Sequence, residues 1–244
     1  AAIVRTIVVS LIAVLFVVPL VWMVLSSLKT APEVFARPFH WLPARVQWQN
    51  YATVWMNEEA SMLRAFANTL YIALFSIIGQ MFISSLAAYS FAKINFKGKQ
   101  VVFMLFLSSM MVPSQLTIIP RFMLFKTIGL YNNLWAIILP AFFGATSIFM
   151  LRQFYMGLPN DLIEAAKIDG AGHLRIFLRI MLPLTKAALM SLIILAFISS
   201  WNEYMAPLIF LVKKELYTVS QNIQWYMLDE FKEHNLTMAA ATSA

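Results

Sequence analysis

The sequence predicts an all-α, polytopic membrane protein, and three observations carry that prediction. Its 244 residues are 61% hydrophobic and only 12% charged, with a mean hydropathy of +0.76, which leaves few charges for the polar shell of a soluble domain this size. The apolar residues gather into runs near the ~20 residues that a helix needs to cross a bilayer. The charges stop at the edges of those runs.

Taken in order, the runs fall at 6–28, 68–92, 101–120, 133–151 and 185–201, and their interiors hold no Asp, Glu, Lys or Arg. Arg5 and Lys29 bracket the first, Lys93 follows the second, Arg121 the third and Arg152 the fourth, while Lys186 stands at the entrance of the fifth. Pro19, Pro113 and Pro140 are compatible with membrane helices, where neighbours satisfy the freed carbonyls. Ser84, Ser85, Ala87 and Ala88 let the second run pack closely on another helix. Between the first two runs, 29–67 carries Pro32, Pro38 and Pro43 with Trp41, Trp48 and Trp55, and reads as an irregular lobe at a membrane interface. Polar segments follow at 153–183 and from Trp201 to about Asn235. From Thr237 a small-residue helix begins, so a sixth span is expected, cut short in this sequence, and the Ala-Ala start suggests that the natural N-terminus is missing too.

Orientation is open on charge counting. With the N-terminus inside, the inner set is Arg5, Lys93, Lys97, Lys99, Arg152, Lys167, Arg175, Arg179 and Lys186. The outer set, equal in number, is Lys29, Arg37, Arg45, Arg64, Arg121, Lys126, Lys213, Lys214 and Lys232. The crowding of Lys93, Lys97 and Lys99 in one short loop favours an inside N-terminus.

Several function classes drop out. Without cysteine there is no disulfide framework and no thiolate chemistry. His40, His173 and His234 are too far apart for a local metal motif, and no metal or catalytic residue is expected. The net charge of +7 is scattered singly, which suits loops facing anionic lipid rather than nucleic acid. No cofactor is expected on this chain: Gly98-Lys99-Gln100 lacks the glycine spacing and the Ser or Thr of a phosphate-binding loop. Charge-free spans argue against a proton-coupled carrier. A sodium-coupled carrier and an interaction-only scaffold stay open. If the chain drives a solute uphill, its motor is another subunit.

The most informative segment is 159–183, two short helices about a glycine break. Asp161 is placed to cap the first, with Glu164 as its capping-box partner, and Gly170, with Gly172, supplies the turn. The second puts Leu174, Phe177, Leu178 and Met181 on one face and Arg175 and Arg179 on the other, until Pro183 ends it. By pattern alone this is either an interfacial helix pair on lipid or a docking element for a partner.

The residues Glu164-Ala165-Ala166-x-x-Asp169-Gly170-Ala171, followed by Phe177, Ile180, Leu182 and Pro183, resemble the EAA loop of permease subunits of bacterial ABC importers. Other stretches resemble the carbohydrate-type branch related to the smaller maltose permease subunit. They include Ser27-Leu-Lys-Thr30 with Glu33, Ser85-Leu-Ala-Ala-Tyr89, Val112-Pro113 through Pro120, Leu151-Arg152-Gln153-Phe154 and Trp201-Asn202-Glu203-Tyr204. Ala187 departs from a usual proline, and Met205-Ala206 from a bulkier pair.

The resemblance implies the type I importer permease fold, with six spans, five complete here, and a cytoplasmic coupling helix. It implies 1–244 as one permease domain, with 29–67 and 201–236 extracellular and 153–183 cytoplasmic. Docking to an ATPase would use Glu164, Ala165, Ala166, Ile168, Asp169, Gly170, Ala171 and Phe177. The implied partners are a second, homologous permease subunit, two ABC ATPase subunits that use ATP and Mg, and an extracytoplasmic solute-binding protein. The implied cargo is carbohydrate, oligosaccharide first, with glycerol phosphate or an acidic oligosaccharide as the alternative. Residues expected at the pathway or gate are Ser109, Gln115, Asn202 and Glu203, drawn from a wider polar set with Gln80, Ser84, Ser108 and Ser147.

Overall fold

The computed structural model describes residues 2–228 and 233–244, and within them every regular element is a helix. Three helices are long and apolar enough to cross a membrane: Ala2–Ser27, Met62–Lys93 and Trp135–Met156. Two further stretches qualify only as bent pairs, Lys99–Met111 with Ser114–Thr127 at 98° and His173–Leu184 with Lys186–Trp201 at 76°. The expected third span, 101–120, is therefore not one straight helix. The break is local: Val112 and Pro113 leave the helical region, with ψ values of 113° and 133°, and proline disfavours the α conformation in the residue before it. Ser114 then starts a new helix.

The chain divides into two compact units, Ala1–Asn68 with Lys213–Ala244, and Thr69–Val212. In the first, the helix His234–Ser243 lies against Ala2–Ser27, Gln49–Met56 and Val219–Leu228. Asn50 ties this unit together. Its Nδ2 donates to the carbonyls of Ser27 (2.7 Å) and Lys29 (2.8 Å), and its Oδ1 accepts from Asn235 Nδ2 at 3.1 Å. Carbonyls at a helix end have no partner within the helix, and a buried amide that meets two of them removes that penalty. Lys29 is buried here, donating to the His40 carbonyl with its ammonium 5.2 Å over the Phe39 ring. The expected irregular lobe at 29–67 thus contains helical turns at Ala31–Val34 and Gln49–Met56. Glu33 accepts from the Thr30 N–H at 3.0 Å, which holds its carboxyl below the usual carboxylate range. Part of the expected 201–236 loop, 229–232, lies outside the described residues.

The second unit is built on an aromatic core of Tyr89, Phe91, Phe103, Tyr155 and Phe177 with Leu151 and Met181. These residues come from Met62–Lys93, Lys99–Ser108, Ala145–Met156 and the segment 161–184, so the polar segment is anchored on the long helices. Three cations gather at the end of Met62–Lys93, two bonding carbonyls there and the third, Lys93, reaching the loop at Leu158. Arg152 Nε donates to the Phe91 carbonyl (3.3 Å) with its guanidinium 4.1 Å over Phe103, Lys99 Nζ donates to Ile94 (2.9 Å), and Lys93 Nζ donates to Leu158 (2.7 Å). Cations at a helix C-terminus also favour the dipole. A smaller cluster of Phe125, Ala136 and Phe210 packs elsewhere in this unit.

Candidate functional site

The helix Asp161–Ile168 presents two faces. Ile163 and Ala166 are buried in the aromatic core, whereas Asp161, Glu164, Ala165 and Ile168 are exposed. Those four stand at i, i+3, i+4 and i+7, one continuous outward stripe. Ile168 is 86% exposed beside Glu164, an apolar and an acidic group with no partner face among the described residues. Of the residues expected to dock, Glu164, Ala165, Ile168, Asp169 and Gly170 are thus exposed and Ala171 half-buried. Ala166 and Phe177 point inward, at 8% and 2% exposure, and seat the element on its core.

The ends of this helix are fixed differently from the sequence expectation. The N-cap is Asn160 rather than Asp161, so no Asp161–Glu164 capping box forms. The Asn160 side chain is committed elsewhere, its Oδ1 accepting from Lys93 Nζ at 2.7 Å. At the other end Gly170 is left-handed, φ +77°. The Ala171 N–H donates to Ala166 (2.9 Å) and the Gly170 N–H to Lys167 (3.0 Å), the crossed pair of a Schellman turn. Gly172 has φ −74° and starts the next helix, so it plays no part in the turn.

The second helix also turns a different face inward. Ile176, Phe177 and Met181 are buried, while Leu174 and Leu178 are 65% and 49% exposed. The inward stripe runs through His173, Ile176, Phe177 and Ile180 at i, i+3, i+4 and i+7, turned from the expected face, and a π-helical turn covers Phe177–Met181. Pro183 does not end the helix, which runs to Leu184. The break is at Thr185, fully buried, with its Oγ1 donating to Met181 (3.1 Å) and Leu182 (3.0 Å) and 3.4 Å from Tyr155 Oη. Tyr89 Oη meets His173 Nδ1 at 3.1 Å, and the Tyr89 ring lies 5.4 Å from Phe177. Sequence reasoning missed Lys93, Tyr89 and Thr185, whose partners are remote in sequence.

The same unit encloses a cavity of about 580 Å³. Gln115 and Glu203 line it, as do Gln80 and Ser147, which share a 3.0 Å hydrogen bond. Ser109 and Asn202 do not; each bonds back to its own helix, at Phe106 (2.6 Å) and Ile198 (2.8 Å). Arg121, expected at the edge of a span, lines the cavity instead, because the bend at Pro113 redirects the helix that carries it.

A bent-helix membrane fold, an anchored outward helix and a polar cavity are together the features of a permease subunit. The family model for the binding-protein-dependent transport system inner membrane component matches residues 80–244, and the chain belongs to that family. It is 34% identical over 211 residues to the arabinooligosaccharides transport system permease protein AraQ of Bacillus subtilis, spanning 86% of this chain and 75% of that protein. It is 30% identical over 216 residues to the diacetylchitobiose uptake system permease protein NgcG of Streptomyces coelicolor, spanning 88% and 70%. Against the sn-glycerol-3-phosphate transport system permease protein UgpE of Yersinia enterocolitica it is 33% identical over 181 residues, spanning 72% and 64%. The fold matches a chain from the crystal structure of a bacterial ABC transporter involved in the import of the acidic polysaccharide alginate, with a TM-score of 0.87, 21% identity, and coverage of 99% and 90%. The protein is a multi-pass inner-membrane permease subunit of an ABC importer, working with a separate ATPase and a solute-binding protein.

Proposed function

We propose that this chain forms half of the translocation pathway of an oligosaccharide importer and docks its ATPase through Asp161–Ile168. The outward stripe of Glu164, Ala165 and Ile168 on a helix locked at both ends carries the proposal. A partner cleft with an apolar floor and one basic group matches it: Ile168 fills the floor, Glu164 anchors to the cation, and Ala165 lets the backbones approach. A charge-assisted bond of that kind is both strong and directional. In this reading 153–183 is cytoplasmic, the N-terminus is inside, and 29–67 and 201–236 face outward. A second, homologous permease subunit completes the pathway, and one ATPase serves each. ATP-driven closure of the ATPases then moves the anchored helices as a block.

The names of the relatives, which concern arabino-oligosaccharides and diacetylchitobiose, support carbohydrate as cargo. An anionic cargo is the second reading, supported by the glycerol-phosphate relative.

Co-purification with the partner subunits, reconstitution in lipid vesicles and ATPase assay test the proposal. Solute-loaded binding protein stimulates hydrolysis, and Glu164→Ala reduces that stimulation roughly tenfold, the equivalent of losing one charge-assisted bond. Stimulation unchanged in Glu164→Ala overturns the docking role, and none in the wild-type assembly overturns the importer reading.

A further inference from the structure

The cavity in the Thr69–Val212 unit has a charge pattern that the assigned function does not explain. Its walls carry one cation, Arg121, and one anion, Glu203. Every other polar lining side chain is a hydroxyl or a carboxamide, among them Ser76, Gln80, Gln115 and Ser199. Arg121 is half-buried, its guanidinium 5.0 Å over the Phe210 ring, and its Nε is closed off with no hydrogen-bond partner among the described residues. One Glu203 oxygen accepts from the Ala206 N–H at 3.0 Å. An arginine in an apolar helix is tolerated where it lines a polar cavity, and such a residue marks a solute path more often than a structural contact.

We propose that this cavity is a half-site for a neutral, polyhydroxylated solute, with Arg121 as the donor and Glu203 as the acceptor, and that the pair excludes anionic solutes. The proposal rests on the import reading above and narrows its cargo. Each sugar hydroxyl both donates and accepts, so neighbouring hydroxyls can bond a guanidinium and a carboxylate together. The two charges sum to zero, so a neutral solute leaves neither unbalanced. An anionic solute meets attraction at Arg121 but repulsion at Glu203, the repulsive half of a specificity device. Ile77, Ile118 and Leu195 in the same walls offer apolar surface to the C–H faces of a sugar ring.

The chain contains no cysteine, which makes the test direct. Ser199→Cys and Thr146→Cys, two exposed positions on the cavity wall, are introduced separately. Each is alkylated in the complete importer in lipid vesicles, with and without the neutral oligosaccharides arabinotriose and diacetylchitobiose, and with trigalacturonate as the anionic probe. A neutral oligosaccharide slows labelling at least ~5-fold and trigalacturonate does not. Reactivity toward anionic and cationic thiosulfonates is then compared. Adding Glu203→Gln shifts the ratio toward the anionic reagent and Arg121→Gln toward the cationic one, each roughly tenfold, while the double change returns it.

Protection by trigalacturonate alone overturns the neutral assignment. Absence of protection, a reagent ratio that does not move, or cysteines that react in the isolated chain but not in the assembly overturn the half-site, the last by placing a partner helix on the wall. Binding-protein-stimulated ATP hydrolysis in the same vesicles separates these results from failure of the importer reading.

Discussion

Lys93 and Asn160 are 67 residues apart in sequence, yet the lysine ammonium donates to the asparagine Oδ1 at 2.7 Å. The same ammonium donates to the Leu158 carbonyl at 2.7 Å. One side chain thus ties the end of Met62–Lys93 to the turn that leads into the Asp161–Ile168 helix.

Replacing that side chain loosens the outward helix without touching its exposed stripe. Lys93→Met removes both bonds and lowers stability by about 1–2 kcal/mol, the Asn160 arm contributing less because it is solvent-exposed. Lys93→Arg retains most of the effect. The midpoint of thermal unfolding in detergent and binding-protein-stimulated ATP hydrolysis check it; both are expected to fall in Lys93→Met, and a wild-type value for either contradicts the clamp.

Gly170 and Gly172 make a matched pair. An added methyl group meets nothing within 4 Å at either, so only backbone conformation distinguishes them. Gly170→Ala forces a left-handed alanine and costs about 1–2 kcal/mol. Gly172→Ala, at φ −74° and the N-cap position, strains no backbone and costs less, about 0.5 kcal/mol for the poorer cap. Equal unfolding midpoints for the two variants would refute the assignment of the turn to Gly170.

Gly79 is required for a different reason. A Cβ there would stand 2.1 Å from the Phe142 ring. Gly79→Ala therefore overpacks the contact by about 1–3 kcal/mol, and adding Phe142→Leu recovers much of the loss. The yield of folded, monodisperse protein reads both effects. A Gly79→Ala variant with wild-type yield contradicts this close approach.

The sequence made the membrane class, the glycine turn and the helix that carries Glu164 legible, because each depends on local pattern: run length, left-handed glycine, spacing along one helix. Features that depend on three-dimensional return of the chain were not. The second helix turns His173, Ile176, Phe177 and Ile180 inward and leaves Leu174 and Leu178 outside, a face that includes the remote His173–Tyr89 contact and that apolar spacing alone does not reveal. Asn160 holds the N-cap position without capping through its side chain, which is taken up by Lys93, a partner remote in sequence. The bend at Pro113 did have a signal: Pro113-Ser114-Gln115 reads as a helix start as well as a span interior. Recognising it would have moved Arg121 from an edge charge to the cavity wall, and with it weakened the argument that no ionisable group serves the path.

The buried Thr185 and its 76° bend act mechanically as a bell crank. The Lys186–Trp201 arm is 16 residues long, and at 1.5 Å per residue a swing of roughly 10° about the pivot carries its far end about 4 Å. That stroke is close to the width of a single sugar ring, and the arm ends two residues before Glu203. A small tilt at this elbow would therefore reach Glu203, on the cavity wall, as a larger displacement in another direction.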